Sequence, residues 1–271
     1  VGGTRALPRL YYLPLYVFCG RHLLAAKLRR ANADAAAGAV EEIARIVALI
    51  RRRWRRTRIL LRGDSGFARE ELMAWCEANR VDFVFGLAGN ARLNKAVIPE
   101  LIIATIESLR TGKPARCFKD FSYATRGSWR RARRVIGKAE VTVGEANPRF
   151  IVTSLGIAET KARYLYEKLY CTRGEMENRI KECQLDLFAD RTSTATMQAN
   201  QLRLWFASMA YVLLCGLRRI GDAQADQAVS GVGTQGGERD AAAEAHGRTG
   251  GPDWQTGGAQ YAGASENGGS E

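Results

Sequence analysis

The chain passes between stretches with two-residue and with helical hydrophobic spacing, which predicts a mixed α/β fold. Tyr11–Cys19 (YYLPLYVFC) and His22–Leu28 are apolar and joined at Gly20, which predicts a hairpin of two strands. Asp34–Trp54 predicts an amphipathic helix with Val40, Ile43, Val47 and Ile50 on one face and Asp34 as its N-cap. It ends in RRRWRR, where arginines suit a helix C-terminus or a phosphate contact. Arg58–Leu61 is a short apolar run that predicts a strand. The following AREELMAWCEANR has helical spacing at Leu72, Trp75 and Cys76, and Phe83–Leu87 predicts another strand. Ala91–Thr111 has a helical pattern with Pro99 near a break.

Beyond that helix the pattern changes. Cys117–Tyr123, Ser128–Val143 and Arg149–Leu155 are alternating or branched runs, so residues of about 115–156 form a β-rich insertion. Alternation from Trp129 puts Trp129, Arg131 and Arg133 on one side of a strand. Interleaved Trp and Arg can grip a DNA backbone or stack on an unpaired base. A charged, solvated edge strand gives the same pattern. Glu159–Gln184 and Gln198–Arg219 predict two further helices. The apolar stretch Leu204–Leu217 is 14 residues long, short of the roughly 20 needed to span a bilayer, and predicts a buried helix.

After Gly221 the periodicity vanishes. Thirteen of the 28 glycines lie in these last 51 residues. Residues 221–271 are therefore expected to be a disordered tail, from either a reading-frame shift near Gly221 or a genuine acidic linker. This tail carries eight acids and two arginines, a net −6, so the +13 of the whole chain leaves +19 on residues 1–220. Such a body attracts polyanions, and DNA is the natural partner. An arginine-rich proteome would also raise the charge. The six cysteines form no C-x-x-C pair and suit small core positions in a reducing cytoplasm. His22 and His246 are the only histidines, which argues against zinc. Pro14 and Phe18 argue against a cleaved leader at Tyr11–Cys19, so neither secretion nor a membrane is expected.

The candidate chemistry begins with LRGDSGF, centred on Asp64. Asp64 lies just past a strand, at the mouth of a strand-to-helix turn. Ligands of open α/β sheets bind at the carboxyl ends of strands. A carboxylate there can hold a metal ion or move a proton; it can equally cap the helix while Gly63 and Gly66 shape the turn. A second acid stands in Tyr170–Lys181 (YCTRGEMENRIK). At about 100° per residue, Tyr170, Arg173, Glu177 and Lys181 share one stripe roughly 80° wide, and Glu175 points to the opposite side. A solvated face with i,i+4 ion pairs would look similar. It does not account for a carboxylate and two phosphate-binding cations arriving together.

Asp64 in a strand-ending GDSGF, followed by a helix with Y-x2-R-x3-E, resembles the DDE-type transposases of bacterial insertion sequences, in the group 1 branch with a Tyr-Arg-Glu-Lys signature. The similarity runs from about Tyr11 to Ile220 and includes MAWCEANRVDFVFGLA, NPRFIVTSL and ANQLRLWFASMAYVLLC. It implies a ribonuclease-H-like core in which two Asp and one Glu hold two Mg²⁺ ions. It also implies DNA partners (element ends and target) and a homodimer in the active form. Two such metals, about 4 Å apart, activate the attacking oxygen and stabilise the leaving one in strand cleavage and transfer. By this resemblance Asp64 is the second acid and Glu177 the third, both catalytic and both metal ligands. Tyr170 and Arg173 match the first two signature letters as DNA contacts. Position 184, where the family has Lys, holds Gln184, and Lys181 is the candidate replacement. The first Asp belongs to a strand upstream of Tyr11–Cys19, yet residues 1–30 contain no Asp or Glu. The expectation is a partial catalytic domain over residues 1–220 that lacks its first core strand, and an inactive copy. A non-catalytic DNA-binding remnant and another ribonuclease-H-like nuclease are the alternatives.

Overall fold

The computed structural model describes residues 12–142, 145–232 and 259–261; the side chains of Arg173 and of residues from 223 onward are outside that description. The strands are β1 (Leu15–Cys19), β2 (His22–Lys27), β3 (Leu60–Gly63), β4 (Asp82–Leu87), β5 (Ala115–Tyr123), β6 (Arg133–Thr142), β7 (Glu145–Ala146), β8 (Arg149–Thr153) and β9 (Ala259–Tyr261). The helices are α1 (Ala39–Arg53), α2 (Glu70–Ala78), α3 (Ala91–Ala96), α4 (Ile98–Thr111), α5 (Ala162–Tyr164), α6 (Gly174–Lys181) and α7 (Met197–Val232). All strands join one sheet in the order β2-β1-β9-β3-β4-β8-β6-β5, with β7 on β6. The β1–β2 hairpin is antiparallel and β3–β4 is parallel, with Leu60 opposite Asp82 and Gly63 opposite Phe85.

The β-rich stretch extends this sheet. β8 pairs antiparallel with β4, Val84 opposite Thr153, and β6 follows on β8. The reason lies in β8 itself: Phe150, Ile151 and Val152 are all buried, so both of its faces need cover. On one face, Leu61, Phe83, Phe85, Val135 and Val152 pack with Ile43, Ile46 and Val47 of α1 and Leu72, Met73 and Cys76 of α2. On the other, Leu60, Val84, Ile136 and Ile151 meet Leu165 and Tyr166. Tyr16 and Phe18 of β1 meet Met176 and Ile180 of α6 and Leu204, Ala207 and Tyr211 of α7. Fully burying each such side chain contributes about 1.5–3 kcal/mol. Helices on both faces of a mixed sheet make a three-layer α/β fold.

Three features differ from the expectation and one agrees with it. α1 begins at Ala39 after Gly38, whose φ of 70° suits only a residue without Cβ strain, so Asp34 is no helix cap. Asp34 instead accepts from Ala36 N at 2.8 Å in the turn before it. As expected, Ala91–Thr111 breaks beside Pro99 into two helices, and Pro99 sits in the first turn of the second, where its missing N–H costs nothing. α7 continues past Gly221 to Val232, and Ala259–Tyr261 is a strand; residues 233–258 and 262–271 lie outside the described residues. Finally, Met197–Asp222 is long and apolar enough to cross a membrane, by length and composition only, at mean hydropathy 1.2. The 14-residue reading understated it. Its Leu204, Ala207, Tyr211 and Cys215 are buried against other parts of the protein, but Trp205, Phe206, Met209, Leu213 and Leu217 are exposed, so the helix is not the buried one the sequence predicts.

Candidate functional site

Asp64 follows β3 with extended backbone, and its Oδ1 accepts from Gly66 N at 2.8 Å. It caps the short 3-10 turn Ser65–Phe67. The turn is tight: a Cβ on Gly66 would stand 2.7 Å from Ala35 Cβ and 3.0 Å from Asp64 Oδ1. One strand over, a Cβ on Gly86 would stand 2.7 Å from Tyr170 Oη and 2.9 Å from Ser65 N. The bare backbone of β4 thus lets the Tyr170 phenol come down beside the Asp64 turn. Asp64 and Tyr170 line one cleft of about 590 Å³ together with Lys138, Asn147, Arg149 and Tyr166. Asp64 is half-buried there, so it both caps a turn and faces a cavity.

The segment bearing Glu177 is not uniform α-helix. Leu165–Tyr170 is a π turn, Cys171–Arg173 a 3-10 turn, α6 follows, and Glu182–Asp186 is a second π turn. Three residues turning by about 120° instead of 100° advance the phase by about 60°. The stripe predicted on a continuous α-helix therefore breaks between Tyr170 and Glu177. Met176 and Ile180 point into the core, while Glu177 and Lys181 are exposed and are not among the residues lining the cleft. Arg173 closes the 3-10 turn, and its side chain lies outside the description. Arg62 of β3 ties this segment to the sheet by donating to Leu169 O at 3.0 Å and to Thr172 Oγ1. Burial lowers the Arg62 guanidinium from its ordinary value, and the nearby Glu175 carboxylate opposes that shift. Glu175, set aside in the sequence, thus acts on the sheet.

Trp129, Arg131 and Arg133 do not alternate along one strand. Strand β6 starts only at Arg133. Trp129 is 9% exposed and packs edge-on to Tyr123, with the Arg133 guanidinium 5.6 Å from its ring centre. Arg133 is buried and donates to Glu70 at 2.6 Å and to Glu77 at 2.7 Å. Arg131, exposed, holds the same Glu77 at 2.8 Å. The two glutamates of α2 thus pair with both arginines, and the Trp129 ring packs against Tyr123 and Arg133.

Residues 9–234 match the family profile described as transposase DDE domain group 1. The chain belongs to that family. No curated protein matches the chain. Membership ties this transposase to DNA transposition and to DNA as partner, in a family that normally uses a divalent metal. Among the described residues, however, no group of three or more His, Cys, Asp or Glu side chains is placed to hold a metal ion. The surroundings of Asp64 are cationic instead. Arg29, missed in the sequence, is buried and donates to Leu13 O at 3.1 Å, Ala35 O at 2.6 Å and Ala37 O at 3.1 Å. Burial lowers its guanidinium from the ordinary value, and the neighbouring Asp34 and Asp64 carboxylates work the other way. Lys138 and Arg149 were missed as well. Lys138 pairs with Glu140 and stands 5.4 Å from the Tyr166 ring centre, and exposed Arg149 is held by Asn147 Oδ1 at 2.9 Å. The strands that carry them were legible in the sequence; their place in the cleft of Asp64 was not.

Proposed function

We propose that this transposase domain grips DNA phosphates in the cleft beside Asp64, and that the 271-residue chain holds DNA without cutting it. The observation that carries the reading is the cleft lining itself: Lys138 and Arg149 line the same cleft as Asp64, with Asn147, Tyr166 and Tyr170 supplying hydrogen-bonding groups. Arg149 offers a guanidinium fork to a phosphate, and Lys138 a point charge. Tyr170 can donate its phenol to a phosphate oxygen or stack on a base.

Asp64 and Glu177 are the two acids of the family pattern in this reading. The Arg62–Thr172 contact supports their pairing. Asp64 is two residues beyond Arg62, about 7 Å along a strand; Glu177 is five residues beyond Thr172, about 8 Å along a helix. Both acids thus belong to elements locked together at one point. Residues 12–33 contribute no Asp or Glu to join them. Asp64 beside Arg29, Lys138 and Arg149, with Glu177 exposed and outside the cleft lining, does not fit a centre for two dications, whose mutual repulsion needs a surplus of negative ligands.

Strand cleavage and transfer is the second reading, favoured by the placement of Asp64 at a strand's carboxyl end. Binding is tested by fluorescence anisotropy of labelled duplex DNA over a salt series. The reading expects a steep linear fall of log affinity with log salt, and a shallower slope, by about one, for Arg149→Gln. Affinity that stays flat with salt, or an unchanged Arg149→Gln slope, contradicts phosphate binding in this cleft.

A further inference from the structure

The arginine-rich end of α1 takes no part in the cleft. Asp64 follows the carboxyl end of β3, whereas Arg51–Arg56 precedes its amino end, and Leu60 to Asp64 alone spans about 13 Å of strand. Arg52, Arg53, Arg55 and Arg56 are exposed, and Trp54 among them is 61% exposed. The backbone that carries them is fixed. Trp54 N donates to Ile50 O at 2.8 Å, and Thr57 N donates to Trp54 O at 3.3 Å, so Arg55 and Arg56 form the tip of a tight turn. Arg51 donates to Asn79 O at 2.7 Å and to Arg80 O at 3.0 Å, which ties the end of α1 to the corner after α2. At that corner Arg80 is exposed with a φ of 53°, in the place where helices commonly put glycine. Five exposed arginines and one exposed indole thus share this end of the sheet.

The fold itself does not use this charge. A helix C-terminus carries about half a negative charge, which one or two cations offset. Among the described residues, no carboxylate pairs with Arg52, Arg53, Arg55, Arg56 or Arg80. The acids nearest in sequence and space are taken: Arg58 holds Asp82 and Glu159, each at 2.7 Å. Glu41 and Glu42 of α1 stand in its first turn, about 15 Å along the axis from Arg52 and Arg53. We propose that this end of the sheet is a second DNA site, which takes an unpaired strand: arginines on successive phosphates and one base stacked on Trp54. A duplex offers phosphates but hides its base faces, while a single strand offers both. An anionic membrane suits the patch less well. The neighbouring helical turn adds only Leu49, 50% exposed, to the ring, and interfacial anchoring takes a whole apolar helix face. The site stands at the other end of β3 from Asp64 and does not depend on phosphate binding in that cleft.

The test is fluorescence anisotropy of a labelled oligothymidylate and of a blunt duplex with the full chain. Trp54→Ala should weaken oligothymidylate binding at least about fivefold and leave duplex affinity within about twofold, because only the unpaired strand loses a stacked base. Trp54→Phe should keep most of the affinity, since a ring remains. Replacing Arg55 and Arg56 together with Gln should make the single-strand salt slope shallower by about 1.4, whereas Trp54→Ala should leave that slope unchanged. All of these side chains are exposed, so the melting temperature should stay that of the native chain. The Trp54→Ala loss is expected in an Arg149→Gln background as well, which separates this site from the cleft. Oligothymidylate affinity unchanged by Trp54→Ala, or lost equally for the duplex, overturns the proposal. So does a Trp54-dependent capture by phosphatidylserine vesicles with no Trp54 effect on oligothymidylate, which would make the patch a membrane contact.

Discussion

Replacing Arg133 with Met should destabilise the fold by about 3 kcal/mol. Arg133 is the shared partner of Glu70 and Glu77, its side chain is 3% exposed, and theirs are 17% and 16% exposed. Removing one member of a buried ion pair costs about 3–5 kcal/mol, because the remaining charge stays desolvated. Two features hold the estimate at the lower end. Glu77 keeps Arg131, and both glutamates reach some water. Met preserves much of the packing against Trp129 but loses the cation–ring contact, about 0.5–1 kcal/mol. In urea, with a slope of about 2 kcal/mol/M, the midpoint should fall by about 1.5 M. The pH dependence gives a second reading. Hydrogen bonding to Arg133 holds the Glu70 carboxyl below the ordinary glutamate range, and the hydrogen bonds from Arg133 and Arg131 outweigh burial to do the same for Glu77. Their folded values are depressed, so their stabilisation is present above the ordinary value of about 4.5 and is lost as pH falls through the folded values. The gap between the native chain and Arg133→Met should therefore be full at pH 7 and close progressively below about pH 4.5. DNA affinity of the folded variant should keep its salt slope. A midpoint shift worth under about 1 kcal/mol, or a gap unchanged down to about pH 3.5, would refute the reasoning.

Gly86→Ala should cost about 1–3 kcal/mol by overpacking against the Tyr170 phenol and Ser65 N, and adding Tyr170→Phe should recover part of that loss; a double variant no more stable than Gly86→Ala would disprove the contact. Trp129→Leu should lower the melting temperature and leave DNA affinity unchanged, since the ring is packed inside; a selective loss of single-strand binding would show the ring is in use. A thiol reagent should label exposed Cys171 first and reach Cys76 and Cys183 only on unfolding, because burial hides both sulfurs and pushes the Cys183 thiol up to about 12; early labelling of Cys183 would contradict its placement beneath α7.

The sequence showed most clearly what is local. The β1–β2 hairpin, the strand that ends at Asp64 and the helix after it all follow from spacing within a dozen residues. What it hid depends on distant partners. Arg133 looked like a surface cation because Glu70 and Glu77 lie 63 and 56 residues upstream, and no periodicity connects them. Trp129 alternated with arginines, yet alternation does not say which face is core when the strand begins only at Arg133. The β-rich stretch could be recognised as strands, but its joining to β4 through β8 is a non-local choice. The stripe from Tyr170 to Lys181 failed for another reason: a constant 100° rotation does not register the π and 3-10 turns on either side of α6. In the candidate site, Asp64 and Tyr170 were legible and do share a cleft. Arg29, beside Asp64, and Lys138 and Arg149, in the same cleft, were not, since each comes from another part of the fold.

The most direct test is one gel: the 271-residue chain with end-labelled element-end duplex DNA in Mg²⁺ or Mn²⁺ buffer, beside Asp64→Ala, resolved for both bound and cleaved DNA. The account predicts a salt-sensitive bound band for each protein and no cleavage by the native chain above the Asp64→Ala background. Metal-dependent cleavage by the native chain that Asp64→Ala abolishes would contradict it, and would mean that a third metal ligand joins Asp64 and Glu177 in solution.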